Sequence, residues 1–220
     1  MHRSGLAATL ALALLAGSAG VSLGQPAGPP PGPSKDPAAA PAGSYKIDPL
    51  HASVIARATH LGLSHFAVRF NKVDGHYAYD PAHPLATKVD ATVDATSVDI
   101  NPLLEAHPGV SLNDHFVKER DLAGGSKTPV AHFVSTSIQA QGNHGTMTGD
   151  LTLNGVTKPV AFDVTFNGTM PGMGGGAQRM GFTALATIKR SDFGILPQMP
   201  AFAISDDVNL DIEAEFTRQP

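Results

Sequence analysis

The sequence predicts an all-β fold, an antiparallel β-barrel of about eight strands, and three observations carry that expectation. Apolar and polar residues alternate over long stretches: Val160, Phe162, Val164 and Phe166 with Ala161, Asp163 and Thr165, and Phe182, Ala184, Ala186 and Ile188 with Thr183, Leu185, Thr187 and Lys189. The same holds for Val208, Leu210, Ile212, Ala214 and Phe216 against Asn209, Asp211, Glu213 and Glu215. A period of two puts successive side chains on opposite sides, so each stretch is a strand with one buried and one wet face. Turn dipeptides such as Asn154-Gly155 punctuate these runs. No strong helical period intervenes, and about eight antiparallel strands close a small barrel whose interior is either filled by side chains or able to hold one ligand.

Taken in order, the chain begins with Met1-His2-Arg3, an apolar run over residues 6–15, and small residues at Gly17-Ser18-Ala19 and Ser22-Leu23-Gly24. That is the three-part pattern of a cleaved secretory signal peptide, assigned to residues 1–24. A membrane anchor needs roughly 20 apolar residues, about twice this run. No stable membrane insertion is therefore expected, and the product is expected to be periplasmic or secreted. Residues 25–43 are rich in Pro, Ala and Gly and read as a disordered linker, because they bury too little to offset the entropy of ordering. Residues 44–220 are long enough for one barrel domain with a sizeable core. With no cysteine in the chain, that core stands without disulfides.

Within the domain, strands are predicted over residues 53–60, 66–70 and 76–79, with Asp74-Gly75 as a turn, and over residues 88–100. The alternation breaks over residues 101–129. There Ser111 and Asp114 resemble a capping box opening a short helix, with Leu112, His115 and Phe116 on one side. This segment is expected to be a helical lid, since its leucines and phenylalanine are not needed by a solvated loop. Strands resume over residues 130–138 and 147–153, with turns at Gly142-Asn143 and Asn154-Gly155. The glycine-rich piece at residues 170–176 has strands on both sides, so it reads as a hairpin loop rather than a phosphate cradle.

Several fragments together resemble the YceI family of exported lipid-binding proteins. They are Tyr45-Lys46-Ile47-Asp48 with His51; His60-Leu61-Gly62 with Ser64 and Phe70; and Thr96-Ser97-Val98-Asp99. To these add Pro129 before Phe133-Val134-Ser135-Thr136-Ser137, the run from Gly149 to Val160, and Arg190 with Asp192-Phe193-Gly194. The resemblance implies a lipocalin-like barrel with a hydrophobic cavity for a long isoprenoid or other amphiphile. Departures fall at Val68, where the family usually has glycine, and at Leu112 and Asn113, where it usually has an Arg-Asp pair. The segment at residues 102–110 is also longer than usual.

The inward parity carries Val54, Ala56, Ala58, His60, Ala91, Ala184, Ala186 and Ala214 beside Phe162, Phe166 and Phe182. Small residues beside aromatic walls either leave a narrow cavity or let opposite strands approach; the resemblance selects the cavity. Val134, Leu151 and Phe193 join these as cavity candidates. Leu112, His115, Phe116 and Arg190 are the lid and head-group candidates, Arg190 offering a planar fork to an oxygen-rich head or a salt bridge to Asp192 or another nearby carboxylate. The expected partner is a hydrophobic small molecule, with a bound isoprenoid or other lipid as ligand and no cofactor.

Ten histidines raise the question of a metal, but none of their spacings suits zinc, and no metal site is expected. A buried, hydrogen-bonded role at the barrel mouth is expected for His60. The alternative function is metal handling or redox defence through Met170, Met173 and Met180 with the histidines. Catalysis finds no Gly-x-Ser-x-Gly elbow and no thiol. With a formal charge of -4 and no Lys/Arg cluster, nucleic acid is not an expected partner. Monomer and homodimer both remain open.

Overall fold

The computed structural model describes residues 32–99 and 130–220. Ten strands lie among the described residues: β1 Gly43–His60, β2 Ser64–Phe70, β3 Val73–Tyr79, β4 Val89–Asp94, β5 Val98–Asp99, β6 Val130–Gln141, β7 His144–Leu153, β8 Val156–Gly172, β9 Gly176–Lys189 and β10 Ile204–Arg218. Every pairing is antiparallel. β2 and β3 both pair with β1 along one edge, Val54 opposite Phe70 and Tyr45 opposite Tyr77. β5 and β4 in turn pair with β2 and β3. The ten strands thus act as eight staves, and β10 against β1 closes the ring from Tyr45–Arg218 to His60–Ile204. Closure removes the open sheet edges that would otherwise template pairing with other chains.

The alternation in the sequence becomes the inner and outer faces of this barrel. Phe162, Phe166, Met180, Ala184, Ile188, Ala214 and Phe216 are buried, while Leu185 between them faces out. Gly149 on β7 is required by close approach, since a Cβ there would lie 2.4 Å from the Phe133 ring and from the Val134 carbonyl. The Asn154-Gly155 turn adopts positive φ at both residues, 53° and 75°, which matches the right-handed twist of β7 and β8. The glycine-rich piece forms the β8–β9 hairpin, as its flanking strands predict.

Three expectations are corrected. Asp74-Gly75 is not a turn but lies inside β3, where Gly75 passes close over Ala91; the bend comes at Asn71 and Lys72, whose amides both donate to the Ser97 hydroxyl. The long strand over residues 88–100 breaks after Asp94, whose carboxylate accepts from the Thr96 amide and hydroxyl. The linker over residues 25–43 is structured from Gly32 onward. Ser34 exchanges two backbone hydrogen bonds with Thr169, both 2.9 Å, and Lys35 donates to the Asn167 carbonyl. Asp36 caps a 3-10 turn at Pro37–Ala39, and Ala40 is buried. The Tyr45 and Tyr79 hydroxyls donate to the Pro41 and Pro37 carbonyls at 2.8 Å; composition understated this strap because two of its anchors, Tyr79 and Thr169, lie far away in sequence.

Candidate functional site

Two apolar clusters occupy the barrel. One, at the strap end, contains Tyr45, Ile47, Tyr77, Tyr79, Phe166, Met180 and Phe216. The other contains Phe133, Leu151, Val160, Phe162, Ile188, Phe193 and Ile195. They do not fill the interior. A cavity of about 380 Å³ has walls drawn from both clusters, and its lining is almost wholly apolar. Exposed wall residues at Pro84 and Leu85, and at Ala140, Gly142 and His144 of the β6–β7 hairpin, open it to the surface.

Of the residues the alternation places inward, Val54, Ala56, Ala91, Leu151, Phe162, Phe166, Phe182 and Ala184 line this cavity. Five do not. Ala58 shares the face of Ala56 but sits one step nearer the end of β1, paired with Phe66 and Val208, and is outside the wall. His60 is exposed where β1 ends, which corrects the expectation of a buried histidine there. Val134 opposes Asp90 and Asp150 on the outer face; its neighbour Phe133 is the inward residue. Ala186 packs against the second cluster without reaching the cavity, and Phe193, 1% exposed, plugs the end of the barrel from a 3-10 turn.

Residues missed by the sequence reading include Tyr77, Met147, Ile138, Ala140 and Ile195. Tyr77 and Met147 obey the period-two rule on strands whose starts were placed too late. Ile138 and Ala140 face inward because a bulge between Ser135 and Ser137 shifts the parity of β6. Ile195 arrives on irregular backbone and follows no periodicity. Leu112, His115 and Phe116, with the lid expected over residues 101–129, lie outside the described residues.

Arg190 is the largest correction. It is 5% exposed, and its guanidinium faces neither a ligand head nor Asp192. Nε donates to the Ser205 carbonyl at 3.2 Å, Nη1 to Ile195 and Leu196 at 3.1 and 2.6 Å, and Nη2 to Met199 and Ile204 at 2.6 and 3.3 Å. One side chain therefore satisfies three carbonyls of the irregular β9–β10 connection and two at the start of β10, using the donor fork that the sequence suggested for a head group.

Among the described residues Asp48, His51 and Glu215 bring ligand atoms together. Arg179 already joins that group, its Nη1 lying 2.9 Å from both the Asp48 and the Glu215 carboxylates. The His51 ring at 2.9 Å, with the Leu50 amide and Arg179, holds the Asp48 carboxyl below its ordinary range. The methionines do not converge: Met180 is buried and accepts from the Tyr77 hydroxyl at 3.2 Å, while Met173 is 93% exposed.

The aromatic end carries a pH signature. Tyr45 and Tyr77 stack at 5.4 Å, and Tyr77 meets Phe216 at 4.8 Å. Burial pushes the Tyr77 hydroxyl well above its ordinary value of 10.0, with Tyr45 and Tyr79 adding to the shift; Tyr45 and Tyr79 are raised too, first by burial. A raised folded-state value means that the folded protein keeps protons the unfolded chain releases. The stability involved is complete below about pH 10 and falls as pH climbs beyond it. The chain has three tyrosines and no tryptophan, so tyrosinate absorbance reads this cluster alone. The signal is expected to appear together with unfolding; ordinary titration near pH 10 in an intact barrel would contradict the burial argument.

Comparison with known proteins agrees with this architecture. A family model described as YceI-like domain matches residues 45–216. A UPF0312 protein of Pseudomonas aeruginosa is 39% identical over 180 residues, covering 81% of this chain and 88% of the relative. Protein YceI of Escherichia coli O157:H7 is 39% identical over 181 residues, with the same coverage. Among solved structures, a Campylobacter jejuni YceI protein is 27% identical with a TM-score of 0.61, over 74% of this chain and 90% of that one. A polyisoprenoid binding domain from Saccharophagus degradans shares the fold at 13% identity and a TM-score of 0.54, over 80% of this chain and 98% of that one. The strap at residues 32–42 precedes the matched span.

Proposed function

Because this chain belongs to the YceI family, we propose that it is a carrier for a long-chain amphiphile, a polyprenyl or quinone-like isoprenoid or a fatty amide, held inside the barrel. The observation that carries this reading is the apolar cavity of about 380 Å³ between the two core clusters. Its size lies within the roughly 300–1,000 Å³ range of small-molecule sites. The ligand class follows that of the Saccharophagus degradans polyisoprenoid binding domain, which shares the fold.

Magnitudes favour a long chain. Each buried methylene contributes about 0.8 kcal/mol, so a chain of about fifteen carbons gains roughly 12 kcal/mol. Association costs on the order of 4–15 kcal/mol, so a chain of only a few carbons is not retained. A binding role also suits the wall, where His144 is the sole His, Lys, Arg, Asp or Glu among the described residues and its Nδ1 is hydrogen-bonded with the Thr165 hydroxyl. The signal-peptide pattern in residues 1–24 supports export to the periplasm or beyond as part of the same proposal.

Titration calorimetry with farnesol at several temperatures tests the reading. Burial of apolar surface gives a negative heat-capacity change on binding. Saturable heat with that sign is expected. No saturable binding by farnesol or by longer prenols would sink the carrier.

A further inference from the structure

Among the described residues, the cavity wall is polar at one place only. Thr87, Asn143, His144 and Thr146 are its polar side chains there apart from two tyrosines, and no Lys, Arg, Asp or Glu is among the described lining residues. Both tyrosine hydroxyls are already used, Tyr77 by the Met180 sulfur and Tyr79 by the Pro37 carbonyl. Asn143, His144 and Thr146 lie at the β6–β7 hairpin. Thr87 follows the 3-10 turn Pro84–Ala86, which packs against β6. The polar groups therefore gather where the cavity opens, and the wall beyond them is apolar.

Thr87 is also where the hydrogen-bond accounting fails. Among the described residues its Oγ1 is the one buried side-chain polar atom with no partner. Such a group carries a desolvation penalty that folded proteins seldom leave standing. Threonine bears its hydroxyl and its methyl on one Cβ, so rotation about χ1 exchanges the two at the cavity wall.

Resting on the carrier reading, we infer that this end of the cavity is a head-group subsite in which the Thr87 hydroxyl binds an uncharged oxygen function: an alcohol, carbonyl or amide. The ligand's chain then runs from the hairpin end toward Ile188 and Ile195. The head is uncharged because the described residues of the wall offer no Lys or Arg, and an ionised phosphate drawn against them loses hydration without a partner. The orientation is opposite to one in which Arg190 meets the head, since Arg190 lies at the far end and is spent on backbone carbonyls.

The test uses Thr87→Val in the full-length protein with three probes of one skeleton: farnesol, farnesyl phosphate and the saturated hydrocarbon farnesane. Wild type is expected to bind farnesol at least tenfold more tightly than the phosphate. The variant is expected to bind farnesol about 3–10-fold more weakly, the worth of one hydrogen bond, with farnesane affinity unchanged. Without ligand the variant is expected to melt about 2–4 °C higher, because it removes an unpartnered hydroxyl; a merely structural hydroxyl would not give higher stability with weaker alcohol binding. Unchanged farnesol affinity in the variant, or equal binding of alcohol and phosphate by wild type, overturns the subsite and leaves the carrier standing. If wild type binds neither farnesol nor farnesane, the carrier reading itself fails and takes the subsite with it.

Discussion

Replacing Arg190 with Met is expected to lower the thermal midpoint by about 6–12 °C. The guanidinium serves five backbone carbonyls at Ile195, Leu196, Met199, Ile204 and Ser205, and among the described residues no other side chain is hydrogen-bonded to any of them. Methionine keeps the length and removes every donor. Some carbonyls regain water, so the loss is set by those that stay buried, at about 3 kcal/mol or more in total. About 1 kcal/mol corresponds to 2–4 °C in a domain of this size. Arg190→Lys is expected to recover only part of the difference, since a compact ammonium cannot span the same set of acceptors. A midpoint within about 2 °C of wild type for the Met variant would show that this connection does not depend on Arg190.

Ala184→Phe is expected to abolish long-chain binding without unfolding the barrel. Ala184 pairs with Val164 and Ile212, both of which also line the cavity, so a ring added at this position grows into open space. Farnesol affinity is expected to fall at least tenfold, with the thermal midpoint held or raised because the ring fills a void. Leu185→Phe, on the outer face, is the control and should bind normally. If the interior were already packed, the added ring would cost roughly 1–3 kcal/mol instead. A lowered midpoint with farnesol binding intact would therefore count against the open cavity.

Sequence patterning exposed most of this barrel because period-two alternation is a property of single strands. Val208 to Phe216 could be assigned to the inside with no knowledge of their neighbours, and each of those five inward residues lines the cavity. What escaped depended on partners distant in sequence. The strap needed Tyr79 and Thr169 to become visible, and proline-rich composition alone pointed to disorder. Val134 was misassigned because one residue of phase moves a side chain to the other face, and the bulge after Ser135 moves the phase again.

Arg190 shows the same limit in chemical terms. A lone arginine after a strand reads as available for an anion or a carboxylate. Its actual acceptors are main-chain carbonyls, which carry no sequence signature. The Thr87 hydroxyl was equally hidden, since nothing in Leu85-Ala86-Thr87 says that its neighbours leave it without a partner.

The most direct test of a ligand-holding barrel is organic extraction of the protein purified from its native cells, with mass spectrometry of the extract against protein concentration. The account predicts a long-chain, uncharged amphiphile approaching one molecule per barrel, lost from Ala184→Phe and retained by Leu185→Phe. An extract without such a molecule, from protein that also fails to take up farnesol when it is supplied, would contradict it.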